Sequence, residues 1–270
     1  MVQRVRNYAI LLGLVMMVLV MAGCGKANGD ENNAAQSQVK LTISAAASLT
    51  DALTEIQKTY EEEHSAIKLQ FNFGASGALQ RQIEQGAPAD LFLSAAAKNL
   101  KALVDKQLID TDQQINLLSN ELVVVVPSDS TSAITSVADL SKAEFSHIAI
   151  GIPESVPAGN YAKESLTNAN MWDSLQSKAV QAKDVRQVLQ YVETGNADAG
   201  FVYKTDALTS DKVKIAFTVD PATYTSIQYP IGIVKATKHS KEAEEFYTYL
   251  QSQEALDVFV KYGFSVPESK

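Results

Sequence analysis

The chain of 270 residues has one cysteine, one tryptophan and three histidines. One cysteine cannot close an internal disulfide, so a disulfide-stapled scaffold is excluded. His64, His147 and His239 are scattered without the short repeat of a ligand set, which argues against a histidine metal site. There is no basic excess: 23 Lys and Arg stand against 31 Asp and Glu, a formal net charge of −8. A nucleic-acid surface needs the opposite balance. No G-x-x-x-x-G-K-[ST] occurs, which excludes a P-loop ATPase. The longest apolar run, residues 9–23, is 15 residues, short of the ~20 that span a bilayer as a helix. What is present is an ordinary globular balance, 46% hydrophobic and 20% charged, enough apolar surface to exclude wholesale disorder.

The amino terminus has a different composition. Arg4 and Arg6 precede that apolar run, with no acid among the first 23 residues, the build of a secretory signal. The run ends at Met21-Ala22-Gly23-Cys24, which resembles a bacterial lipobox, with Met where Leu is usual. Residues 1–23 are therefore expected to be a lipoprotein signal peptide and Cys24 the lipidated new terminus, anchoring the chain on the extracytoplasmic face of the cell membrane without spanning it. The mature chain would have 247 residues and a net charge of −10, since only two arginines leave. Residues 24–38, polar and Asn-rich, read as a flexible tether.

From residue 39 onward strand-like and helix-like stretches alternate. LTISAAA (41–47), IKLQFNF (67–73), ADLFLSA (89–95), ELVVVVP (121–127), HIAIGIP (147–153), AGFVY (199–203), VKIAFTV (213–219) and YPIGIVKAT (229–237) read as strands. Residues 48–60, 77–85, 158–166, 184–194 and 242–259 carry apolar residues at helical spacing. The alternation predicts an α/β fold with mostly parallel sheets, in two halves. ELVVVVP is placed to carry the chain into the second half and YPIGIV to return it. The first lobe is then discontinuous, 39–120 plus 226–270, with 121–225 as the second.

The junctions between strands and helices carry the chemistry. Ser48-Leu49-Thr50-Asp51 has the pattern of a capping box. Gly74-Ala75-Ser76-Gly77, Pro157-Ala158-Gly159 and Lys183-Asp184-Val185 precede the other helices. Helix N-termini present unpaired N–H groups and about half a positive charge. Several aimed at one cleft would hold an anion without any basic side chain, at the strand ends where open α/β sheets bind ligands. A single serine at a helix start is ordinarily only a cap.

SAAASLTDAL (44–53), GASGALQRQIEQGAPADLFLSA (74–95), GIPESVPAGNYAKESL (151–166), KDVRQVLQYVETGNADAGFVY (183–203) and KYGFSVP (261–267) resemble, in order and spacing, the molybdate-binding proteins of bacterial ABC importers. The resemblance covers residues 39–267. It implies the two-lobed solute-binding fold of the type II periplasmic-binding-protein kind, with two hinge crossings. It implies no enzymatic activity and no cofactor, and a bare oxyanion, molybdate or tungstate, as ligand. Carried over by motif, the ligand-binding residues, which hold molybdenum as its oxyanion, are Ser48, Ser76, Ala158, Val185 and Tyr203. The loop before the second motif, Ser-rich in some members, is GASG here, so Ser76 alone is the candidate in it. The implied partners are the permease of the importer and, through the lipid, the membrane; a monomer is expected.

Two other readings stand beside this one. The protein could bind another oxyanion or a neutral solute. More remotely, Gly74-Ala75-Ser76-Gly77-Ala78 falls one residue short of G-x-S-x-G, and Ser76, Asp206 and His239 follow the chain order of an α/β-hydrolase triad.

Overall fold

The computed structural model describes residues 38–267. The signal segment, Cys24 and nearly all of the tether lie outside the described residues.

Among the described residues ten strands form two five-stranded sheets. The first contains β1 (Val39–Ala46), β2 (Ile67–Gly74), β3 (Leu91–Leu93), β4 (Ile109–Ser119) and β10 (Gln228–Val234), in the order β2-β1-β3-β10-β4. The second contains β5 (Leu122–Pro127), β6 (Ile148–Gly151), β7 (Ala179–Ala182), β8 (Ala199–Tyr203) and β9 (Val213–Thr218), in the order β7-β6-β8-β5-β9. The two orders match position by position. Within each sheet one strand runs against its neighbours: β10 is antiparallel to β3 and β4, and β5 is antiparallel to β8 and β9. The sheets are therefore mixed, where the alternation alone suggested mostly parallel ones. The reversed strand is in each case the one that has just arrived from the other sheet, so it enters from the opposite end. The chain passes between sheets twice, at residues 120–121 and between β9 and β10.

Helices cover the sheets. They are α1 (Thr50–Glu63), α2 (Ser76–Glu84), α3 (Ala97–Asp105), α4 (Pro157–Asn168), α5 (Trp172–Leu175), α6 (Val185–Glu193), α7 (Lys204–Ala207), α8 (Ser240–Tyr249) and α9 (Gln253–Lys261). Each long one buries a stripe at helical spacing: Ala52, Leu53, Ile56 and Tyr60 in α1, and Val185, Val188, Leu189 and Val192 in α6. The α6 stripe lies on β6 and β8. The strand β5, Leu122-Val123-Val124-Val125-Val126, is buried along its length because it lies between two others with both faces covered. At about 25 cal/mol per Å², each such side chain contributes roughly 1.5–3 kcal/mol on leaving water.

Three features escaped the sequence pattern. The polar strand β4 lies at the sheet edge beside β10 and exposes Asp110, Thr111 and Asp112, so it shows no apolar alternation. The short β7 is the opposite kind of edge, four residues beside β6. The single helix expected over 242–259 is two, broken at Gln251-Ser252, where the Ser252 hydroxyl accepts the Ala255 N–H at 3.3 Å and caps α9.

Candidate functional site

The six strands β1, β2, β3, β6, β7 and β8 all point their carboxyl ends at one cavity of about 210 Å³, lined among others by Ala47, Ser48, Ser76, Ala95, Ala158, Val185 and Tyr203. All five residues singled out in the sequence, Ser48, Ser76, Ala158, Val185 and Tyr203, lie on its wall. The first two come from the β1 and β2 side and the other three from the second sheet's side.

Each donor is set by its local structure. Ser48 is in a 3-10 turn, Ala47–Leu49, between β1 and α1. It does not cap α1, and the capping box read from Ser48 and Asp51 is not formed: the turn already makes the helix start, with the Thr50 hydroxyl donating to the Ala47 carbonyl at 2.7 Å. That frees the Ser48 Oγ, which lies 2.8 Å from the Tyr229 hydroxyl. Ser76 is the first residue of α2; its oxygen accepts the Ala95 N–H at 2.9 Å, which turns its own hydrogen away from that bond. Ala158 follows Pro157 at the start of α4, where the proline's missing N–H is no loss. Gly159 is required there: a Cβ would sit 1.8 Å from the Gly151 carbonyl oxygen, so only glycine lets the helix end rest on β6. Val185 opens α6, whose cap is Asp184; the Asp184 carboxylate accepts the Gln187 N–H at 2.9 Å and is turned back onto its own helix. Tyr203 ends β8 with its hydroxyl buried and without a hydrogen-bond partner among the described residues. Burial pushes its pKa well above the usual phenol range, so it stays a donor.

The two sides touch across the cleft. The Gly77 N–H donates to the Ser155 carbonyl at 3.0 Å, and the Tyr161 hydroxyl donates to the Ala95 carbonyl at 3.4 Å. Arg186 pairs with Asp51 of α1 on the far side, while its Nε lies 2.7 Å from Asp206 on its own side in an ionic contact out of line for a hydrogen bond. Asp206 is fully buried, and burial outweighs the pull of Arg186, raising its pKa to about 6. These residues, Asp51, Arg186, Asp206 and Tyr229, were not singled out as a group. Their signal was weak, since a charged residue in a helix is ordinarily a solvated one.

A larger, more open notch of about 1250 Å³ lies between Lys98 of α3 and α4, with Glu154, Lys163 and Glu164 on its walls. It is more open and carries charges of both signs, so size does not make it the site. A hydrolase triad is not assembled: Asp206 pairs with Arg186, and His239 lines a separate cavity with Thr42 and Asp90. Among the described residues no group of three His, Cys, Asp or Glu could hold a metal ion.

Two matched sheets with a small cavity at their shared strand ends define a two-lobed binding protein. The family model for bacterial extracellular solute-binding proteins matches residues 41–265. A Bacillus subtilis protein named as a candidate ABC transporter substrate-binding lipoprotein is 54% identical over 260 residues, covering 96% of this chain and 98% of its own. The molybdate-binding protein of Haemophilus influenzae is 39% identical over 235 residues, covering 85% of this chain and 91% of its own. A solved substrate-binding domain of a candidate molybdenum ABC transporter from Clostridium difficile superposes with a TM-score of 0.66 at 44% identity, covering 86% of this chain and all of that one. The chain belongs to the bacterial extracellular solute-binding protein family, and binding a solute, not catalysis, is its work.

Proposed function

We propose that this protein captures molybdate, with tungstate as its near twin in size and charge, and delivers it to the permease of an ABC importer. Ser48, Ser76 and Tyr203 supply hydroxyl donors, and the backbone N–H groups at Ser48, Ser76, Ala158 and Val185 complete the cage. The lobes are residues 39–120 with 226–270, and 121–225. Cys24 carries the lipid that holds the protein to the membrane; Cys24→Ala should release it from the membrane fraction, and equal partitioning of both forms would remove the anchor from this reading.

The observation that carries the proposal is convergence. Five residues from both halves of the chain meet at one cavity, and among the described residues no cationic side chain lines it. A permanent positive charge would favour any anion. Fixed neutral donors select by size and protonation state. Molybdate and tungstate are fully deprotonated dianions at neutral pH and larger than sulfate, so a rigid cage can tell them apart by fit. The acidic balance of the chain repels a dianion only at long range, and salt screens that beyond ~8 Å.

A ligand held by both lobes binds only the closed, folded protein. At 100 times its dissociation constant it adds ~2.7 kcal/mol. At ~2–4 °C per kcal/mol for a chain of this size, the melting temperature of the soluble body rises by roughly 5–11 °C with molybdate or tungstate. Sulfate, too small to reach every donor, does much less. Calorimetry over a panel of anions with a parallel thermal melt checks this. An equal response to sulfate or phosphate would defeat the selectivity, and no response to molybdate or tungstate would defeat the assignment.

A further inference from the structure

Ser48 is held by a residue that does not line the cavity. Its Oγ is 2.8 Å from the hydroxyl of Tyr229, a fully buried residue of β10. Which of the two donates is decided by the groups behind them. The Glu121 N–H donates to Asn120 Oδ1 at 2.9 Å. A backbone N–H cannot accept, so the Asn120 amide is fixed with its oxygen toward Glu121. Its nitrogen then faces Thr205 Oγ1 at 2.9 Å and the Tyr229 oxygen at 3.4 Å. That nitrogen has hydrogens to give and no lone pair to offer. Tyr229 therefore cannot donate to Asn120. Its hydrogen goes to Ser48, the other polar partner of its hydroxyl among the described residues. Burial keeps that phenol protonated. With its oxygen already accepting from Tyr229, Ser48 has its own hydrogen to turn to the cavity it lines.

The same holds at Ser76, whose oxygen accepts the Ala95 N–H at 2.9 Å. The Tyr203 phenol, kept protonated by burial and by the neighbouring Tyr229 hydroxyl, makes no well-formed hydrogen bond among the described residues. All three hydroxyls on the cavity wall are thus presented as donors. The one carboxylate on the wall, Asp184, has its Oδ1 engaged by the Gln187 N–H, which turns the group back onto its own helix. An oxyanion that carries a proton needs an acceptor from its site, and a cage of donors alone leaves that O–H facing another hydrogen.

We propose that Tyr229 is a positioning residue for anion specificity: by donating to Ser48 it fixes that serine as a donor, and so makes the cage reject protonated oxyanions. The inference rests on the oxyanion reading above and deepens it. Its anchor is the chain crossing at Asn120-Glu121, so the proton order is set by the hinge and not by the ligand.

The test is Tyr229→Phe, with Asn120→Ala as a second variant that leaves the phenol in place and removes what directs it. Molybdate, sulfate and inorganic phosphate are titrated calorimetrically into the soluble body at pH 7, with melts to check folding. Sulfate and phosphate are tetrahedra of similar size, and only phosphate carries a proton at that pH. In Tyr229→Phe the Ser48 hydroxyl is free to turn and accept. The sulfate-to-phosphate affinity ratio should fall about tenfold, while the molybdate-to-sulfate ratio holds within about twofold. Asn120→Ala should move the first ratio the same way by less. Equal weakening of all three anions in Tyr229→Phe is the result of a merely structural role and overturns the inference. A wild-type protein that ignores molybdate and tungstate overturns the functional reading instead, with the sulfate and phosphate pair still deciding the role of Tyr229.

Discussion

Val185 and Arg186 are consecutive, yet the first faces a cavity without a cationic side chain among the described residues and the second an ion-paired rim. In the cage every donor is a hydroxyl or a backbone N–H, and the side chains that hold them, Tyr229 and Asn120, are neutral as well. On the rim one guanidinium is shared by two carboxylates, Asp206 of its own side and Asp51 of the other. The charge of the arginine is neutralised by the pair around it. On the proposed reading, charge is used where two lobes are held in register, and kept out where one anion is told from another by its shape. In this comparison recognition belongs to the cage and closure to the contacts around it. It can be broken at either end.

The largest effect should come from preventing the lobes from meeting. The Gly77 N–H touches the Ser155 carbonyl, and a Cβ at Gly77 would stand 2.8 Å from that oxygen, a backbone atom with little room to give. Gly77→Val should leave both lobes folded and keep the protein open. The donors of the second lobe, Ala158, Val185 and Tyr203, are then out of reach. At about 1.5–3 kcal/mol for each bond to a charged partner, molybdate affinity should fall by about three orders of magnitude or more. Calorimetry reads the loss, and small-angle scattering should show no compaction with ligand. Full compaction with wild-type affinity would show that closure does not depend on this approach.

Next is the cage itself. Tyr203→Phe removes one donor and nothing else of the shape, so molybdate should bind roughly 10- to 150-fold more weakly. The empty protein should melt no lower than wild type, and slightly higher, because the hydroxyl removed is buried and unpaired. A clear loss of stability without ligand would assign Tyr203 to the core and not to the cage.

How much of this division was legible in the sequence follows from the kind of pattern each part leaves. The cage residues stand at strand-to-helix junctions, where SAAASL, GASG, PAG and KDVR interrupt the apolar periodicity. A break of that kind is visible in one dimension, and the resemblance to molybdate-binding proteins says which break matters. The lobe crossings were legible for the same reason, since ELVVVVP and YPIGIV are strong buried strands. The strand β4 was not, because an edge strand with four exposed polar residues leaves no alternation. Nor were the partners of the cage. Tyr229 meets Ser48 across 181 positions of sequence, and Arg186 meets Asp51 across 135. No local spacing encodes such a pairing. Ser48-x-x-Asp51 even imitates a local one, and the structure sends its two side chains to separate distant partners.

The smallest effect should come from the rim. Asp51→Asn removes the carboxylate that Arg186 reaches across the cleft, and leaves Asp206 to neutralise the guanidinium. The Asp51 side chain is 41% exposed and that of Arg186 26%, so the pair works in a wet, screened setting. Pairs of that kind are worth ~0.2–1 kcal/mol, which limits the loss of molybdate affinity to about fivefold. Two opposed kinetic changes should underlie it. The closed state loses a contact, so dissociation quickens. The chain loses a negative charge close to the cleft, so association with a dianion quickens too, most at low ionic strength, where screening is weak. The net loss in affinity should accordingly be smaller in dilute buffer than the change in dissociation rate alone. The ratio of molybdate to sulfate affinity should not move, since the cage is untouched. Stopped-flow binding at two salt concentrations, with both anions, measures all of these. A change in that ratio beyond about twofold would mean that the rim takes part in recognition, and the separation between the neutral cage and the charged clamp would then fail.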